Sequence, residues 1–186
     1  MNRKQENSKK MMLLIGMISI TMTFAGLTSA YVVSSYRSDW LSSFEIPFAF
    51  TISTILLLIS SLTFHLAKHY VLKNNKPKSL ILVSTTIFLA FLFVFYQFKG
   101  FQEIIKSGYY FTGAQSSITT SFLYVLVIVH LVHLIAGIIV LLKVFYKISA
   151  NKYIGSNKLG IQLGVIFWHF LDFLWLYLYL FMVLYR

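Results

Sequence analysis

Five runs of this 186-residue chain are long and apolar enough to cross a hydrocarbon core of roughly 30 Å, which takes about 20 helical residues. They lie near residues 11–36, 46–67, 79–98, 119–146 and 161–184. In lipid a segment must pair its own backbone N–H and C=O groups, so each run is predicted to be an α-helix. The predicted fold is an all-α integral membrane protein, a bundle of five transmembrane helices. Residues 1–10 read as a polar N-terminal tail and 11–186 as a single transmembrane domain. The opening MNRKQENSKK before an apolar run imitates a signal peptide. However, that run continues to about Val33, long enough to span, so an uncleaved first helix is expected.

Charge gives the orientation. Twelve of the 16 Lys and Arg residues fall in the N-terminal segment (Arg3, Lys4, Lys9, Lys10), the second connection (Lys68, Lys73, Lys76, Lys78) and the fourth with its flank (Lys143, Lys147, Lys152, Lys158). Arg37, Lys99, Lys106 and Arg186 belong to the other side. By the positive-inside rule the N-terminus is cytoplasmic and the C-terminus outside, as an odd number of spans requires. The formal charge of +11 is confined to these connections and forms no continuous basic face, so no nucleic-acid partner is expected.

No cysteine is present, which excludes thiolate nucleophiles, disulfides and iron–sulfur ligation. Walker loops, zinc-protease motifs and serine elbows are also missing, so no catalytic centre is expected in this chain alone. The first helix carries Ser19, Thr23, Gly26 and Ala30 at spacings of three to four, one side of small residues on which another helix can pack closely.

Ionisable groups deep in the apolar runs concentrate in the last two. His130 and His133 share one face of the fourth, and His169 and Asp172 one face of the fifth, beside Trp168 and Trp175. At 1.5 Å per residue, His130 lies roughly 16 Å below the outer boundary, His133 about 21 Å below it, and Asp172 about 16 Å above the inner one. A charged Asp at that depth costs at least ~2.5 kcal/mol, so it should face protein and find donors. Three arrangements meet this demand. One is a polar cluster of His130, His133, His169 and Asp172 that fixes helices four and five together. The second is haem ligation, although a pair three apart on one helix cannot clamp both faces of a haem. The third is a proton relay, although helices one and three add no carboxylate to it.

These same residues carry a resemblance. FWHFLDFLWLYLYLF (residues 167–181) resembles the YWHFVDxVWLxLF ending of cytochrome c oxidase subunit III, with Trp168, His169, Phe170, Asp172 and Trp175 matching position by position. HLVHLIAGIIVLL looks like that family's HGLHVxxGxxxL, carried by His130, His133, Gly137 and Leu141. FEIPFAFTISTILLLISSLTFHLA is similar to a family helix that begins at proline and carries a serine pair, here Pro47, Ser60, Ser61 and Ala67. Gln97 fits the glutamine that ends the next helix, and FAGLTSAYVVSSYRSDW resembles the first shared helix. The likeness runs from about residue 11 to the end.

Two departures accompany it. The family commonly has seven helices, so five resemble a shorter bacterial form without the two that wall a lipid-filled cleft. Also, a glutamate is common in the first shared helix, where this chain reads SITMTFAG with Ile20 in the acid's place. The resemblance implies an accessory, non-redox subunit of a haem–copper terminal oxidase in the bacterial plasma membrane. Haems and copper would be held by partner subunits and none by this chain, with subunit I as direct neighbour and subunit II in the same complex. The role implied is to stabilise the catalytic subunit and support its proton uptake. A bound phospholipid and a place in a larger respiratory assembly are compatible with that role. The runner-up is a haem b-binding membrane anchor of a respiratory complex.

Overall fold

In the computed structural model, which describes residues 3–38, 40–41, 46–113, 117–151, 153 and 158–185, the chain folds into five helices. They are α1 (Arg3–Ser34), α2 (Phe48–Leu72), α3 (Lys76–Lys106), α4 (Ile118–Ser149) and α5 (Leu159–Leu184). All five are long and apolar enough to cross a membrane. The protein is a multi-pass membrane bundle.

Local sequence sets the helix ends. α2 follows Pro47, whose fixed φ suits a helix start. Asn75 caps α3 by accepting from the Lys78 N–H, with a proline in the first turn. Ser117 and Thr120 form a reciprocal capping box at the start of α4. Three helices outrun the apolar stretches by five residues or more, α2 by reaching Leu72. α1 begins at Arg3, because Arg, Lys, Gln and Glu are good helix formers even where nothing apolar is buried. α3 runs to Lys106 because its last two turns place Phe101 and Ile104 against the core, Phe101 stacking on Tyr124 of α4 at 5.1 Å.

α2 and α3 make the most extensive helix pair; α4 packs on α3, and α5 on both α2 and α4. α1 lies against α4 and α5 and buries only Phe24, Thr28 and Tyr31. Large apolar residues such as Met12, Ile55, Phe88, Val132 and Phe173 point outward, as lipid requires. The centre is aromatic. Trp175 meets Phe50 and Phe93 edge-on at centroid distances of 6.2 and 5.2 Å, and Phe64 meets Trp168 at 6.5 Å. At Gly137, α4 packs closely on α5. A Cβ there would sit 2.7 Å from Leu171 Cδ1 and 3.1 Å from Trp168 Cζ3, so a larger residue would force both side chains to shift.

Candidate functional site

The polar residues of α5 do not turn chiefly to α4. They meet hydroxyls on α2. The Trp175 indole N–H donates to Thr54 Oγ1 at 2.9 Å and the Trp168 N–H to Ser60 Oγ at 3.2 Å. Ser61 and His169 Nδ1 share a hydrogen bond of 2.6 Å, and Thr51 and Tyr179 one of 2.8 Å. Thr51 and Thr54 pair with Tyr179 and Trp175, and Ser60 and Ser61 farther along α2 pair with Trp168 and His169 farther back on α5, so the two helices run antiparallel with four bonds along one seam.

Helical spacing explains why the seam forms. Thr51, Thr54, Ser61 and His65 recur on one side of α2, and Trp168, His169, Asp172, Trp175 and Tyr179 on one side of α5. Each hydroxyl can also serve its own helix. Thr54 donates to the Phe50 carbonyl at 2.8 Å while accepting from Trp175, and Ser60 donates to Leu57 at 2.7 Å while accepting from Trp168. Ser53 repeats the pattern toward α3, donating to Phe50 at 2.8 Å and accepting from the buried Gln97 amide at 3.0 Å.

The four residues expected to cluster are divided by this arrangement. His169 and Asp172 are neighbours, with Nδ1 and Oδ2 4.0 Å apart, and His65 of α2 reaches His169 Nε2 at 3.3 Å. Asp172 is only 3% exposed. Neither of its carboxyl oxygens is bonded among the described residues. The α4 histidines supply it with nothing. His130 is fully buried, both ring nitrogens without a hydrogen-bond partner among the described residues, its ring 5.1 Å from Trp175, 6.2 Å from Phe93 and 6.4 Å from Phe24. His133 donates from Nδ1 to its own helix at the Val129 carbonyl, 2.7 Å away, and rests against Phe24. The expected α4–α5 polar cluster is therefore an α2–α5 seam with an aromatic box beside it.

The remaining motif residues have packing positions. Gly137 is the α4–α5 crossing point, Gln97 ties α3 to α2, Ala67 is buried, and Phe170 packs at the edge of the core. Ile20, at the acid's place, also packs there. Ser19, Thr23, Gly26 and Ala30 all face away from the bundle. A Cβ on Gly26 would meet nothing within 4 Å. Among the described residues no three His, Asp or Glu side chains come together in a way that could hold a metal ion.

The α2 hydroxyls were missed as partners of α5, although a signal existed: Thr51, Thr54 and Ser61 share a stripe in a helix with no other reason to carry polar groups.

Comparison with known proteins agrees with these motifs. The family model described as cytochrome c oxidase subunit III matches residues 8–186. Cytochrome c oxidase subunit 3 of Pyricularia grisea is 32% identical over 140 residues, covering 75% of this chain and 49% of the relative. Cytochrome bo(3) ubiquinol oxidase subunit 3 of Buchnera aphidicola is 33% identical over 137 residues, covering 72% of this chain and 68% of that protein. Its Pseudomonas aeruginosa counterpart is 28% identical over 157 residues, covering 82% and 73%. The chain spans about half the length of the fungal relatives it matches.

Proposed function

The chain belongs to the cytochrome c oxidase subunit III family, and from that premise we propose that it is the accessory, non-redox third subunit of a haem–copper terminal oxidase. The assembly reduces O2 to water in a bacterial plasma membrane. Haems and copper sit in its other subunits. This chain stands beside subunit I, with subunit II in the same complex, stabilises the catalytic subunit and supports its proton uptake. The Lys-rich ends face the cytoplasm.

The inward-turned α2–α5 seam carries this reading. Its polar groups are used to fix helices against one another, which suits a chain that lends rigidity to a neighbour. A haem b anchor needs imidazoles open to iron. Here His130 is boxed by three aromatic rings, while His65 and His169 contact each other. The partner-facing surface is the outward stripe of Ser19, Thr23, Gly26 and Ala30, where small side chains let a foreign helix approach closely.

Purification of the tagged chain in mild detergent, with a reduced-minus-oxidised spectrum of what accompanies it, tests the reading. Haem absorbance should follow larger co-purifying subunits and vanish when they are stripped away. Haem retained by the isolated chain would make the histidines ligands and sink the proposal.

A further inference from the structure

At the Lys-rich end, where the α2–α3 turn meets the last turn of α4, a cleft of about 220 Å3 opens between helix ends. Its polar wall is Asn74, Lys76, Ser79, Asn151 and Tyr153; its apolar wall is Val71 and Ile148. Two lysines brace it. Lys76 Nζ donates to the Ser149 carbonyl at 2.7 Å, and Lys158 Nζ to the Leu72 carbonyl at 3.0 Å. An ammonium has three donors, so Lys76 keeps donors for a further acceptor. Tyr153 is 6% exposed, and its buried hydroxyl has no hydrogen-bond partner among the described residues. The Lys147 ammonium and this hydroxyl lie against the same side of Gly160. Burial pushes the phenol up to about 12, so it stays a neutral donor across the physiological range.

The charge around the cleft has one sign. Residues 46–102 and 104–171 contain no Asp or Glu, while Lys68, Lys73, Lys76, Lys78, Lys143, Lys147 and Lys158 fall in or beside the two connections at this end. The residues lining the cleft include Lys76 and no Asp or Glu, so the cleft favours an anionic group. The cleft is smaller than the ~300–1,000 Å3 of sites that enclose a small molecule, so it takes a group and not a whole ligand. It also sits at the ends of α2 and α4, with the buried Val71 and Ile148 as its apolar wall.

We propose that this cleft binds the phosphate of an anionic phospholipid headgroup, with Lys76 and Tyr153 donating to it and Val71 and Ile148 lying along its glycerol. Basic pockets at the ends of membrane helices recognise such headgroups by charge and hydrogen bonding together. The site does not depend on which complex the chain joins.

Native mass spectrometry of the full chain from detergent, offered phosphatidylglycerol or phosphatidylcholine, tests it. Phosphatidylglycerol should be retained preferentially. Lys76→Gln should lower its retention by about fivefold, the ~1 kcal/mol that one basic side chain near an anionic surface contributes. Tyr153→Phe should also lower it, Lys76→Arg should keep it, and Lys99→Gln at the opposite end should leave it unchanged. Equal retention of the two lipids, or no effect of either Lys76→Gln or Tyr153→Phe, overturns the proposal. Inorganic phosphate binding at Lys76 with no preference between the lipids would mark a free-phosphate site and overturn the lipid assignment.

Discussion

Half of the most apolar stretch of α5 is buried inside the protein, against 11% of the corresponding stretch of α1. Both are apolar helices of the same bundle, so hydropathy alone does not separate them. What separates them is the direction of their small and polar residues. α5 turns Trp168, His169, Trp175 and Tyr179 to α2 and receives the α4 backbone at Gly137. α1 is tied to the α5 end of the bundle by two hydroxyl contacts, Thr28 to Tyr177 at 3.1 Å and Tyr31 to the Tyr185 carbonyl at 3.2 Å, and by the Tyr31 ring on Phe181, and leaves its small residues open. In lipid no hydrophobic drive brings helices together, so packing and interhelical hydrogen bonds decide which faces are internal. By that measure α5 is the keystone of the chain and α1 is the face offered to others.

Substitutions can break this contrast. Trp175→Ala should cost the most, ~3–5 kcal/mol of stability, because it opens a cavity in the core among Phe50, Phe93 and His130. Thermal melting of the detergent-solubilised chain by circular dichroism measures it, and an unchanged melting point would refute the keystone role. Gly137→Val should follow at ~1–3 kcal/mol, since the added carbons meet Leu171 and Trp168 within van der Waals distance. Its loss should appear in the same melt. Gly26→Leu should leave the melting point of the isolated chain within ~0.5 kcal/mol, the usual range for outward substitutions, while lowering recovery of partner subunits with the tagged chain. If Gly26→Leu destabilised the chain as Gly137→Val does, the α1 stripe would be internal and the comparison would fail.

The five helices were legible because an apolar run of that length has one solution in lipid. Their ends were less so. The last turns of α3, FKGFQEIIK, are amphipathic and not apolar, and only the presence of Tyr124 on α4 shows why Phe101 extends the helix. The faces of α5 were also legible, since His169 and Asp172 at i and i+3 must share one side. Which helix that side meets was not, because spacing along one helix carries no information about the order of helices around the bundle. Hydroxyls deepened the difficulty. Thr54 and Ser60 look neutral in hydropathy, yet they are the acceptors that the indoles of α5 find. His130 shows the reverse: its spacing suggested a donor, and the structure surrounds it with three aromatic rings.

The bonds between α2 and α5 join residues 108 to 128 positions apart. On a ribosome adding ~5–20 residues per second, α2 enters the membrane several seconds or more before its partner exists. An Asn or Gln in its place would wait there with an unpaired amide. Thr54 and Ser60 need not wait, because each donates to a carbonyl of its own helix and keeps only an acceptor in reserve. The choice of hydroxyls thus makes the seam safe to synthesise in order, with the last helix to emerge closing bonds that the second has held open at little cost.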